Sequence, residues 1–159
     1  QHPNLPRDNK ECSIKFKHCA CKFEIVLSLN ESRCLWINGP FRGGKHDVDI
    51  FTSSLVDRIP AGKFVIAVRG YKCKRAAHRA KVSLPSSTDS KELANFKMRA
   101  RCRQETFNAR LKKFESLSGA LFRHGGGADA GREFFGIVIV AVCVIVQYQM
   151  DNGRELFAI

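Results

Sequence analysis

Residues 39 to 47, G-P-F-R-G-G-K-H-D, place a glycine, four residues, then Gly44 and Lys45. With that spacing a backbone loop and an ammonium group can cradle phosphate. The chemistry fails at the next position, where a magnesium-binding hydroxyl is needed and His46 stands. Pro40 also removes an N–H that should face the phosphate. The stretch therefore reads as a Gly/Pro turn between a strand and a helix. His18, Cys19 and Cys21, with Cys12 nearby, have the donor types of half a zinc site, but no second pair at ligand spacing follows. The seven cysteines are odd in number and scattered, as reduced thiols of an intracellular protein would be.

The positive charge is more informative. The formal net charge is +12, and residues 69 to 113 hold nearly all of the excess. Fourteen Lys or Arg stand there against Asp89, Glu92 and Glu105, a net +11. Such a field attracts polyanions, nucleic acid above all. The candidate phosphate contacts are Lys72, Lys74, Arg75, Arg79 and Lys81 on a loop, and Arg99, Arg101, Arg103 and Lys112 on a helix. Alternate helix residues point to different sides, so Arg99, Arg101 and Arg103 cannot all address one groove. A diffuse contact with phosphates is expected, not a helix that reads bases.

The elements that must position these groups follow from periodicity. With 159 residues and 44% apolar content, one packed domain is expected. Residues 1–11 read as an irregular lead-in without a signal peptide, and the start at Gln1 suggests a processed chain or a fragment. K-F-E-I-V-L-S-L (22–29) and C-L-W-I-N (34–38) read as an antiparallel hairpin around the turn N-E-S-R. Val48, Phe51, Leu55 and Ile59 share a helical face; Asp47 and Asp49 suit its start, and Pro60 ends it. K-F-V-I-A-V (63–68) is a buried-strand run, followed by a basic loop (71–88) and a charged helix from about Ser90 to Phe114. The apolar run 134–146 has thirteen residues, bounded by Arg132, Glu133 and Gln147. A bilayer span needs roughly 20, so a helix buried against a sheet is expected and no membrane.

Several longer stretches carry a family resemblance. W-I-N-G-P-F-R-G-G-K-H-D-V-D-I-F (36–51) resembles the W-[IV]-N-G-P-F-P-G-x-x-x-D-x-x-I-F segment of the DDE superfamily endonucleases, the transposase-type proteins related to PIF/Harbinger elements. Residues 12–29, C-S-I-K-F through F-E-I-V, resemble its Y-S-x-K-F…Y-E-[IV] segment, and V-I-A-V-R-G-Y-K (65–72) its V-I-A-D-x-G-Y-x. R-A-R-C-R-Q-E-T-F-N-A-R-L-K-K-F (99–114) is similar to R-x-R-x-E-T-x-N-x-R-L-K-x-F, and L-F-R-H-G and the closing residues 146–159 also match.

The resemblance implies a partial RNase H-like α/β fold, a mixed sheet flanked by helices, over residues 12–159 and lacking its first strand or strands. It implies DNA as substrate, action in the nucleus, and a second transposon-encoded DNA-binding protein as a further partner class. It also implies two divalent cations, magnesium or manganese, held by Asp, Asp and Glu. Such a pair, about 3.5–4 Å apart, activates the attacking oxygen and stabilises the leaving one. Carried over by position, Glu105 takes the place of the Glu and is the candidate catalytic and metal-binding residue. Val68 stands where the second Asp is expected, and valine cannot bind a metal. The first Asp belongs in a strand upstream of Cys12; Asp8 is the only aspartate there, and no strand pattern surrounds it. Asp47 matches an acid of the family's turn and is a second metal candidate, although its place at a helix start also suits a capping role. The expectation is a transposase-derived endonuclease domain without hydrolytic activity. The alternative is a non-catalytic nucleic-acid-binding domain acting through residues 69–113.

Overall fold

In the computed structural model of the chain, the described residues are 12–13, 18–117 and 127–159, so the lead-in at 1–11 lies outside them. Two short strands, β1 (Cys12–Ser13) and β2 (His18–Cys19), pair antiparallel. The expected hairpin is β3 (Cys21–Leu27) with β4 (Cys34–Arg42), in which Ile25 faces Ile37 and Val26 faces Trp36. Its turn is closed by Ser28 N–H donating to Arg33 O at 2.9 Å and Glu31 N–H donating to Ser28 Oγ at 3.2 Å.

β4 does not stop at Asn38. It continues through Gly39 and Pro40 to Arg42, and the chain turns only at residues 43–45. Glu24 faces Asn38 and Lys22 faces Phe41, so Gly39 and Pro40 together oppose Phe23 and form a bulge. Gly39 has φ +138, and a Cβ there would lie 2.7 Å from Phe23 Cδ1 and 2.8 Å from Lys22 O. Only glycine fits.

The single helix expected after this turn is two, α1 (Asp47–Ser53) and α2 (Leu55–Arg58). The Ser53 and Ser54 hydroxyls both donate to Ile50 O, at 2.8 and 3.2 Å, and Asn38 Nδ2 donates to Ser54 Oγ at 2.7 Å. These side-chain bonds compete with the helix ladder and break it at Ser54. The apolar face survives the break, because Phe51, Leu55 and Ile59 are buried.

The strand run 63–68 forms only β5 (Val65–Ile66), paired in parallel with β6 (Val82–Ser83). Between them lie a 3-10 turn (Arg69–Tyr71) and a short helix, α3 (Ala76–Arg79). Helix α4 (Lys91–Lys112) starts as expected, with Ser90 Oγ accepting from Leu93 N–H and Glu92 in the first turn. A second 3-10 turn covers Glu115–Leu117.

The last helix, α5 (Gly127–Asp151), is much longer than the thirteen-residue apolar run expected. Within it, residues 131–151 are long and apolar enough to cross a membrane by length and composition. One face is core: Ile139, Val142, Cys143, Val146 and Met150 are buried. The opposite face is open to solvent. Gly136 permits the close approach of α5 to β4, since a Cβ there would lie 2.9 Å from Pro40 Cδ.

The layers follow the alternation of the hairpin. Phe23, Ile25, Leu27 and Ile37 pack on the α4–α5 cluster around Phe107 and Val146. Val26 and Trp36 face the α1–α2 cluster around Phe51, which Val65 and Val82 of the second strand pair also join. The class is α/β as expected. Instead of one mixed sheet, the described residues hold three separate two-stranded pairs. Helix α1 packs against both β3 and the turn after β5, so it bridges the β3–β4 and β5–β6 pairs.

Candidate functional site

Val68 lies just beyond β5, exposed, and caps the 3-10 turn that carries Gly70 and Tyr71. Asp47, in the first turn of α1, comes up against this turn: a Cβ on Gly70 would be 3.3 Å from Asp47 Oδ2. Asp47 is already engaged. Lys22 Nζ donates to its Oδ1 at 3.1 Å and to Lys45 O at 2.7 Å. Asp47 does not cap the helix end with its side chain; His46 occupies that position, and Asp47 complements the helix dipole.

Glu24 is the acid that motif reading passed over. It is 3% exposed, its Oε2 accepts from Trp36 Nε1 at 3.0 Å, and its Oε1 has no hydrogen-bond partner. Burial raises its pKa above the ordinary carboxyl value, opposed in part by hydrogen bonds from Trp36 and Asn38 and by the charge of Lys45. Burial also raises the Tyr71 phenol, with Asp47 and Glu24 adding to the shift, so Tyr71 stays neutral and stands edge-on to Phe51. The available signal was an acid between Phe23 and Ile25, on the strand face that also turns Val26 toward the core.

Glu105 sits on α4 on the side away from Arg103, Phe107 and Leu111, which are buried. Its side chain is 70% exposed and its ion pair with Arg101 spans 3.9 Å. A two-metal centre needs several oxygen donors converging on a dry site. Here Val68 offers no donor, Asp47 is held by Lys22, and Glu105 stands in solvent. Among the described residues, no three His, Cys, Asp or Glu gather where they could hold a metal ion. The donors among the described residues do not fit a divalent-cation pair. Of the half zinc site, the side chains of Cys12, His18 and Cys19 lie outside the described residues. Cys34, Cys73, Cys102 and Cys143 are free thiols. Burial, followed by the proximity of Cys34, pushes the Cys143 thiol up to about 12.

The basic segment divides into two groups. Lys72, Lys74, Arg75 and Arg79 are exposed around α3, and Arg101 and Lys112 are exposed on α4. Others serve the fold. Lys81 Nζ donates to Val56 O at 2.7 Å and Ile59 O at 3.1 Å, satisfying carbonyls at the end of α2. Lys97 is buried, bonded to Leu84 O and paired with Asp89 at 2.8 Å. Arg103 is buried, and Arg99 donates to Ala158 O at 2.7 Å.

Sequence reading missed one basic feature. Arg110, Lys113 and Arg154 line a cleft with Phe114 and Gln149, where the ends of α4 and α5 meet. Arg110 also donates to Arg154 O, and to Glu155 O at 2.9 Å. Nothing local in the sequence places Arg154 beside Arg110, because the tail after α5 makes the contact.

Residues 2–147 match the family model described as DDE superfamily endonuclease. No curated protein and no solved structure matches the chain.

Proposed function

This chain belongs to the DDE superfamily endonuclease family, and from that membership we propose that it binds DNA through exposed cations without cutting it by the two-metal route. Val68 carries the reading. At the end of β5, where the family's chemistry calls for a carboxylate, the side chain has no lone pair to offer a hard cation. Asp47, the acid beside the Gly70 turn, is paired with Lys22. Glu105 keeps the identity of the third ligand and stands apart in solvent.

The RNase H-like assignment is part of the same proposal. Its support is the pair of strand groups that share the α1–α2 layer, with α4 and α5 behind the hairpin. So is action on DNA in the nucleus, which the family's chemistry and the basic surface both favour. The binding surface is the α3 region, Lys72, Lys74, Arg75 and Arg79, extended by Arg101 and Lys112. Aromatic side chains are few there, so contact runs to phosphates and not to stacked bases.

Fluorescence anisotropy on unrelated duplexes across a salt series tests the binding half, with the duplex recovered from each sample to check that it is intact. Affinity should be similar for all sequences and fall steeply with salt as counterions are released. Salt-independent affinity, or strong preference for one sequence, would overturn it.

A further inference from the structure

The outer face of α5 is apolar and lies outside the site described above. Ile137 is 69%, Val144 63% and Tyr148 68% exposed, with Phe134 and Ile145 near half. They fall on one side of the helix, opposite the buried Ile139, Val142, Cys143, Val146 and Met150. Large exposed apolar patches on proteins mark interaction surfaces.

Five residues along this face are arranged symmetrically. Ala141, small and exposed, is the midpoint; Ile137 and Ile145 lie four residues to either side, and Phe134 and Tyr148 seven. Reversing the helix about Ala141 puts isoleucine on isoleucine and aromatic on aromatic. Two identical helices packed antiparallel meet that pattern by symmetry, which is the self-complementarity of a two-fold interface. Alanine at the crossing point lets the backbones approach, and steps of three and four residues make the seam. The exposed parts of these side chains and Val140 amount to roughly 600 Å² per copy, about three quarters of the ~800 Å² per partner of standard interfaces.

We propose that the chain forms a reversible homodimer through α5, antiparallel about Ala141. The second copy covers the apolar face and leaves α3, with its exposed cations, on the outside of each protomer.

Sedimentation equilibrium of the full chain across the micromolar range tests the association. The average mass should rise toward twice the monomer value, and Ile137→Glu with Val144→Glu should hold it at the monomer at every concentration. Both residues are exposed in the protomer, so an unchanged circular dichroism spectrum is expected for that variant. Geometry is tested by cross-linking with copper–phenanthroline after replacing the exposed Cys102 by Ser. Ala141→Cys should link to itself; Tyr148→Cys alone should not, but should link when mixed with Phe134→Cys. A concentration-independent monomer overturns the proposal. So does self-linking of Tyr148→Cys as fast as Ala141→Cys, or flotation with phosphatidylcholine vesicles without protein dimers, which would make the face a lipid contact.

Discussion

Arg103, in the middle of the basic helix, donates to the backbone carbonyl of Phe157 and so clasps the carboxyl-terminal tail. Its second guanidinium nitrogen donates to Glu31 O at 2.6 Å, tying the tip of the β3–β4 hairpin to the same point. A residue that charge counting assigns to a polyanion is thus a buried staple between three segments. Burial lowers the Arg103 pKa, the direction expected for a cation removed from water.

Arg103→Met should therefore cost stability and spare binding. Lost hydrogen bonds to a charged donor are worth about 1.5–3 kcal/mol each way, and some of this returns through the methionine's packing. Urea melts should show a lower midpoint, while DNA affinity under folding conditions stays within about twofold. A large loss of affinity with unchanged stability would show that Arg103 faces phosphate after all.

The α3 cations make the converse prediction. Replacing Lys72, Lys74, Arg75 and Arg79 by Gln should leave the melt unchanged, because these side chains are exposed. Affinity for duplex DNA should fall, and the log–log salt slope should shrink by roughly 0.9 for each phosphate contact removed. Lys81→Met is the internal control. It should lower stability, since Lys81 caps α2, and leave the slope nearly as it was.

The contrast shows what the sequence discloses and what it hides. Periodicity alone reveals the β3–β4 hairpin and the start of α4 at Ser90, because alternation and a capping serine are local signals. The same periodicity could have withdrawn Arg103 from the charged face, since Ala100, Arg103, Phe107 and Leu111 recur at helical spacing. The extension of β4 through Pro40 was hidden because proline reads as a turn, whereas here it sits in a bulge opposite Phe23. The pairing of β6 with β5 was hidden because two-residue strands carry no alternation and Lys81 beside them suggests a loop. At the candidate site, the motif resemblance pointed to Val68 and Glu105. The hold of Lys22 on Asp47 and the burial of Glu24 depend on how the hairpin meets α1, and no local pattern encodes that.

Glu24 predicts a pH dependence. Its pKa is raised in the folded state, so folding favours the protonated form. The stability it contributes is full below the ordinary carboxyl range and is lost as pH rises through the raised value. Glu24→Gln keeps the shape without the charge and should stabilise the protein at pH 7, by about 1 kcal/mol. The difference between variant and wild type should shrink toward zero near pH 4. Chemical melts of both proteins from pH 4 to 8 measure this. A variant less stable than wild type at pH 7, with the deficit fading on acidification, would mean that the buried carboxylate is ionised and stabilising.

The proposed function rests on Val68, which offers a metal no donor where the family's chemistry calls for a carboxylate. Supercoiled plasmid incubated with the protein and magnesium or manganese reads this directly, because a single nick relaxes the circle. The plasmid should stay supercoiled at protein concentrations that bind it fully, with wild type and Glu105→Ala indistinguishable. Metal-dependent nicking by the wild type that disappears in Glu105→Ala would contradict it, and would show that Glu105 still holds a working metal without a carboxylate at position 68.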